Sequence, residues 1–292
     1  MKAPLCLVLA TLFWSGNFVV GQAAVESVTP LELTFWRWTL AAVPLLLLAQ
    51  VVEKPDWRTV LQRWPALLLL SVLGMSSYTL LLYSALGHTT ALNASLITAA
   101  NPALIVVMAL FLPGDRPGPA AWLGIALGLF GVLLVLTAGD LQQIAGLSFN
   151  LGELLMLGAI IVWALYTIIA RRLGLPAIAA TAVQVSMACL TLAPVALAAG
   201  ATLPDDAAAG WSLAYIVIFP SLGAYLLWNL ALRSTSPAAA GNYLNLMVVF
   251  TAALTLLLGM PVTVPQVLGG ILVISGVLLT GLRRRSAQAV TA

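Results

Sequence analysis

Leu31–Leu48 reads LELTFWRWTLAAVPLLLL. Past Glu32 at its start the run is apolar almost throughout, yet Arg37 stands inside it between Trp36 and Trp38. The surroundings set the meaning of that arginine. Of 292 residues, 62% are hydrophobic and only 7% charged, and the mean hydropathy is +1.08. A soluble domain carries about 25% charged residues. No soluble fold hides this much apolar surface, so the solvent must be lipid.

A membrane-spanning helix needs about 20 apolar residues, and ten such stretches are predicted, roughly at 5–25, 31–52, 64–86, 89–112, 119–138, 150–172, 177–200, 211–232, 236–258 and 264–282. Barrel strands would alternate over about 10 residues, and these runs do not alternate. The expected fold is therefore an all-α integral membrane protein with no separate soluble domain. Lys2, the apolar run behind it and the GQAA at 21–24 have the outline of a signal peptide. The run is too long for one, contains Trp14 and Asn17, and has a counterpart later in the chain. Cys6 and Cys189 both fall inside predicted spans, which argues against a disulfide framework. The pI near 9.1 has its simplest explanation in membrane orientation, not nucleic acid.

Lys and Arg near span ends set that orientation. With the N-terminus inside, Lys2, Lys54, Arg58, Arg63, Arg116, Arg171, Arg172, Arg233, Arg283, Arg284 and Arg285 all fall on the cytoplasmic side, leaving Arg37 as the last of the 12 basic residues. The opposite loops carry Glu26, Asp140, Asp205 and Asp206. Both termini are expected in the cytoplasm, with the chain multi-pass in the cell (inner) membrane.

The chain contains a near-copy of itself. Trp14 in LFWSG meets Trp163 in IVWAL, and Pro44 in AAVPLLLL meets Pro194 in TLAPVALA. Tyr83-Ser84 meets Trp228-Asn229, and Gly124 and Gly131 meet Gly269 and Gly276. With five spans in each half, the second half crosses upside down. The expected division is a first five-helix repeat at 1–140, an inverted one at 150–285, and a short tail at 286–292. Inverted repeats are a transporter plan, with the substrate near the midplane between the halves.

The stretch LATLFWSGNFVVGQAAVESVTPLELTFWRWTLAAVPLLL resembles the start of the ten-helix EamA-type transporters of the drug/metabolite transporter superfamily. The points of likeness are the Trp-containing run of the first span, Thr29-Pro30 before the second, Trp36-Arg37-Trp38 within it, and the glycine-rich fifth and tenth spans. The resemblance implies export of amino acids or other small metabolites, as by YddG-type amino-acid exporters. It also implies a cavity ringed by spans 1–4 and 6–9, with spans 5 and 10 peripheral.

Polar side chains facing lipid are costly, so those inside spans should face a partner helix or a wet cavity. At helical spacing, Trp14, Asn17 and Gly21 share a face. So do Ser71, Gly74, Met75 and Tyr78, and also Trp163, Tyr166 and Thr167. Ser221, Tyr225, Trp228 and Asn229 make another stripe, and Thr98, Asn101, Asn242 and Asn245 extend the set. Each alone reads as interhelical glue worth about 0.6–2 kcal/mol. Together, from both halves, they read as a cavity, with Trp14, Asn17, Tyr78, Thr98, Asn101, Trp163, Tyr166, Tyr225, Asn242 and Asn245 binding substrate. Trp36 and Trp211 read as interface-belt residues. Aromatic rings and neutral amides suit a zwitterion with an apolar side chain, such as a neutral or aromatic amino acid. A phosphorylated sugar would want several basic groups.

Pro44 and Pro194 occupy matching places and are expected to act as paired hinges or as static kinks. Arg37 lies six residues past Leu31, about 9 Å deep at 1.5 Å per residue. Central burial of an arginine costs roughly 2.5–3.5 kcal/mol on insertion scales, and snorkelling toward the headgroups lowers this. No acid stands three or four residues away, so any ion partner comes from another helix or from the substrate. Arg37 is expected to line or gate the outer mouth. Glu153 reads as an exposed first-turn acid suited to the helix dipole. With no acid at mid-span, facilitated transport is expected over proton coupling, and a proton-coupled exporter of cationic drugs is the alternative. An intramembrane enzyme or a receptor is the competing class. There is no H-E-x-x-H motif, one His and no mid-span Asp, so no catalytic group, cofactor or metal site is expected. The expected partners are the bilayer and a small-molecule substrate, with the oligomeric state open.

Overall fold

The computed structural model describes residues 3–109, 119–140, 150–170, 172–232, 234 and 242–289, and among them there is no strand. The helices are α1 (Ala3–Ala24), α2 (Pro30–Val52), α3 (Trp57–Leu61), α4 (Trp64–Leu70), α5 (Tyr78–Leu86), α6 (Ala91–Ala99) and α7 (Asn101–Ala109). They continue as α8 (Pro119–Leu136), α9 (Leu151–Ala170), α10 (Ala177–Ala198), α11 (Ala207–Ile216), α12 (Ala224–Leu232), α13 (Leu246–Leu257) and α14 (Val264–Ala289). A π-helical segment, Ser71–Ser77, joins α4 to α5, and a second, Val217–Gly223, joins α11 to α12. A 3-10 turn, Asn242–Asn245, leads into α13.

Six helical stretches are long and apolar enough to cross a membrane: Ala3–Ala24, Pro30–Val52, Trp64–Leu86, Leu151–Ala170, Ala177–Ala198 and Ala207–Ala231. Shorter apolar helices lie at Trp122–Val135, Tyr243–Leu257 and Val264–Gly276. The predicted fourth span is divided at Ala100 into α6 and α7. Lipid contact accounts for the outward faces. Leu40, Val43, Leu47 and Val51 form one exposed row along α2, which a water-facing helix would fill with polar groups.

Helix ends follow local chemistry. Thr29 caps α2 in a capping box, its hydroxyl accepting from the Glu32 N–H while the Glu32 carboxylate accepts from the Thr29 N–H. Thr90 and Asp206 cap α6 and α11. The first turn of α10 has no side-chain cap of its own. Glu53, just past α2, supplies one, accepting from the N–H groups of Ile178 at 3.0 Å and Ala179 at 2.8 Å. An anion at a helix N-terminus is favoured by the dipole and the free N–H groups, and this one ties α2 to α10. Gly200 and Gly259, both at φ 76, end α10 and α13 in the left-handed conformation that glycine adopts freely.

The main packing pairs are α2 with α10, α8 with α14, α1 with α12 and α13, and α9 with α5 and α7. Between α8 and α14 the glycines allow backbone contact. A Cβ on Gly276 would strike the Gly124 carbonyl, and one on Gly131 would meet the Gly269 carbonyl at 2.7 Å. Low numbers on α8 thus meet high numbers on α14, so the two run antiparallel. The core between α1, α2, α5, α9, α10 and α11 is centred on Phe18, Leu33, Trp38, Met75, Met156 and Val183.

Candidate functional site

Each π-helical segment offers a backbone carbonyl to an indole N–H from another helix. In the second, Pro220 has no N–H, so the Ile216 carbonyl loses its usual partner four residues on. The Ser221 hydroxyl donates to this carbonyl at 2.8 Å. The Ala224 N–H reaches back five residues to Phe219 O, which leaves Pro220 O to accept from Trp14 Nε1 at 3.2 Å. In the first segment, Tyr78 N–H bonds Leu73 O, and Met75 O accepts from Trp38 Nε1 at 2.8 Å. Each segment thus gives one carbonyl to an indole N–H from another helix, the fifth residue in the first segment and the fourth in the second. Irregular backbone is tolerated at this depth only where protein or a wet cavity satisfies it.

Two groups of half-buried aromatics flank these segments. Trp14 on α1 meets Tyr225, edge to face at 5.9 Å, and Trp228 at 5.4 Å. Trp163 on α9 meets Tyr78 at 4.7 Å and stacks on Tyr166 at 4.9 Å. The Arg37 guanidinium lies 5.9 Å from the centre of the Tyr83 ring.

Arg37 does not snorkel. It is only 6% exposed, and its Nε and Nη1 are engaged by neighbouring helices. Nε donates to Ser221 Oγ at 2.8 Å, and Nη1 donates to Tyr83 OH at 2.7 Å and to Asn17 Oδ1 at 3.3 Å. The Tyr83 hydroxyl donates in turn to Asn17 Oδ1 at 3.1 Å. The guanidinium lies 4.4 Å from the centre of the Trp38 ring, a cation–π distance. None of these partners is acidic. Partners from other helices were legible in the absence of any acid on α2 near Arg37, but their neutrality was not. Tyr83 and Ser221 were visible as span polar residues, with no signal tying them to Arg37.

Of the residues expected to bind substrate, Asn17 bonds Arg37, Trp14 meets Tyr225, and Tyr78 and Tyr166 both meet Trp163. Thr98 is half-buried and bonds within its own helix, to Ala94 O. Asn101 is buried at the break between α6 and α7, with neither amide atom partnered among the described residues. Asn245 ends the 3-10 turn and is half-buried. The side chain of Asn242 lies outside the described residues. The stripe Ser71–Gly74–Met75–Tyr78 is not a face, because π geometry spreads it. Ser71 bonds Gln184 O on α10, Gly74 carries the Tyr166 ring, and Tyr78 meets Trp163. Pro44 and Pro194 lie in unbroken α-helix. Trp36 is partly buried against Phe35 at 5.0 Å, whereas Trp211 is exposed. Lys2, Arg116, Arg171 and Arg233 lie outside the described residues, as do the side chains of Arg283, Arg284 and Arg285.

Glu153 is not exposed. It is 5% accessible and accepts from Asn93 Nδ2 at 2.9 Å, while Asn93 Oδ1 accepts from Gln266 Nε2 at 2.6 Å. It lines a cleft of about 450 Å³ with Gln22, Glu26, His88, Asn93 and Asn150. Among the described residues no cluster of His, Cys, Asp and Glu has the spacing to hold a metal.

The model of the EamA-like transporter family matches residues 1–137 and again 150–282. An uncharacterized transporter of Archaeoglobus fulgidus is 30% identical over 290 residues, 96% of this chain and 97% of that protein. The uncharacterized transporter YyaM of Bacillus subtilis is 28% identical, with 92% and 90% covered. A probable terminal-alkyne amino-acid exporter of Streptantibioticus cattleyicolor is 28% identical, with 97% and 94% covered. One crystal structure matches with a TM-score of 0.66 at 23% identity over 97% of this chain and 98% of that one, a likeness of fold.

Proposed function

The chain belongs to the EamA-like transporter family, and from that premise we propose that it moves neutral or aromatic amino acids, outward, between two inverted five-helix repeats. The supporting observation is the pair of aromatic groups, Trp14–Tyr225–Trp228 and Trp163–Tyr78–Tyr166, one anchored on the first helix of each half. Their rings offer faces for an ammonium and for an apolar side chain. Tyrosine hydroxyls and the unpartnered Asn101 amide supply neutral polar contacts. A single guanidinium suits one carboxylate and leaves a phosphate under-matched. The relative named as an amino-acid exporter agrees with this substrate class.

The matched π-helical segments, 146 residues apart at their starts, support the two-repeat division at 1–140 and 150–285. The biased placement of Lys and Arg supports an inner-membrane position with both termini in the cytoplasm. Transport, not catalysis, is the role for these residues, by alternating access and without a coupled proton.

Purified protein in liposomes, offered neutral, aromatic, acidic and basic amino acids, a cationic dye and a sugar phosphate, tests this directly. Saturable flux of neutral or aromatic amino acids down their own gradient, indifferent to a pH gradient, is the expected result. Dye movement that requires a pH gradient would sink the substrate and the mechanism together. A second mechanism, proton coupling, is favoured by one observation, the burial of Glu153 beside the cleft. Under it a pH gradient drives substrate uphill and Glu153→Gln abolishes the drive.

A further inference from the structure

A buried guanidinium held only by neutral oxygens is under-coordinated in charge. Arg37 gives Nε to a hydroxyl and Nη1 to a phenol and an amide oxygen. Its remaining nitrogen, Nη2, makes no hydrogen bond among the described residues, and it is not one of the fully enclosed unpartnered atoms. The fork therefore keeps an open edge. That edge adjoins the Trp14 group. Asn17 lies three residues beyond Trp14 on α1, and Ser221 follows Pro220, whose carbonyl holds the Trp14 indole.

We propose that the open edge of Arg37 is the receptor for the substrate carboxylate, and that a carboxylate bound there draws Arg37 away from Ser221, Tyr83 and Asn17. The inference rests on the amino-acid reading above. A carboxylate presents two parallel, charge-assisted acceptors to the fork, stronger than the neutral oxygens it replaces. The three oxygens come from α1, α5 and the second π-helical segment, while Arg37 comes from α2. They are thus a latch that closes one end of the cavity across the two halves. Substrate opens it by being the better ligand, and an empty transporter keeps that end shut. A ligand can shift such an equilibrium only through its differential affinity for the two states, and here the carboxylate supplies it.

The test compares L-phenylalanine with L-phenylalaninamide, which keeps the ring and the ammonium but lacks the carboxylate. Binding to purified protein is followed by calorimetry, and phenylalanine flux is followed in liposomes. Wild type is expected to prefer phenylalanine at least ten-fold. Arg37→Gln is expected to bring the two ligands within about two-fold, and Arg37→Lys to retain part of the preference. Tyr83→Phe keeps Arg37 and loosens the latch, so phenylalanine flux is expected to rise two-fold or more with the preference unchanged. Equal binding of the two ligands by wild type, or an unchanged preference in Arg37→Gln, would overturn the carboxylate receptor and leave the amino-acid reading standing. Slower flux in Tyr83→Phe would overturn the latch. If wild type neither binds nor moves phenylalanine or any other amino acid, the amino-acid reading fails and takes this inference with it.

Discussion

Trp14 and Trp38 each lend an indole N–H to a carbonyl that a regular helix would have used itself, and their surroundings differ in a way that can be measured. The Trp38 bond, 2.8 Å to Met75 O, is buried beneath the Arg37 guanidinium. The Trp14 bond, 3.2 Å to Pro220 O, belongs to a half-buried ring. Trp38→Phe removes a buried hydrogen bond and weakens the cation–π contact, and such a hydrogen bond is worth about 0.5–1.5 kcal/mol. Thermal unfolding in detergent is expected to show Trp38→Phe clearly destabilised, with Trp14→Phe changed by less than half as much and impaired chiefly in flux. Equal losses of stability would end the distinction. Trp14 was legible in the sequence because its partner Trp163 recurs at the matching place. Trp38 was not, since an indole beside an arginine near a span end looks like a headgroup anchor until the carbonyl it meets is known.

The elements that depart from α geometry are where sequence reasoning lost the thread. A stripe through Ser71, Gly74, Met75 and Tyr78 assumes 3.6 residues per turn, and the i→i+5 pattern of a π-helix breaks that assumption. Nothing local announces the first segment, which holds no proline. Pro220 does mark the second, but a proline in a span is compatible with a kink, a hinge or a wider turn. One extra residue in a helix turns all that follows by about 100°. Tyr225 and Trp228 therefore owe their direction toward Trp14 to the π-helical segment above them. Pro220→Ala gives the Ile216 carbonyl back an N–H partner and removes the need for the wide turn. The expected protein is folded and at least as heat-stable as wild type, yet its amino-acid flux is down ten-fold or more, because α12 presents a different face. Unimpaired flux in a stable Pro220→Ala protein would show that the segment only accommodates the proline.

Across the whole molecule, spacings of 145 to 150 residues relate contacts as well as residues. Trp14 with Tyr225 and Trp163 with Tyr78 are similar contacts, between residues 149 and 147 apart in the sequence. The α8–α14 crossing is its own image, since Gly124 meets Gly276 and Gly131 meets Gly269. The Arg37 latch is the exception. The spacing that takes Pro44 to Pro194 takes Arg37 to Met187, and the spacing that takes Met75 to Pro220 takes Ser76 to Ser221. Met187 cannot donate as Arg37 does, and Ser76 Oγ is buried without a partner. Helix α10 already touches the first π-helical segment through Ser71 and Gln184, as α2 touches the second through Arg37 and Ser221. If Arg37 is the proposed latch, it has no counterpart in the second half, and the two ends of the cavity close by different means, one by a polar latch and the other by packing. Met187→Arg offers the waiting Ser76 hydroxyl a donor and should latch the second end, lowering flux several-fold. The exchange Arg37→Met with Met187→Arg should move the latch instead of adding one. Thr98→Cys, in a background of Cys6→Ser and Cys189→Ser, reports the result in sealed vesicles through a membrane-impermeant maleimide. With the native latch, labelling should come from the side away from Arg37, and with the exchanged latch from the opposite side. Labelling from the same side in both proteins would mean that the asymmetry of the halves lies elsewhere than in this arginine.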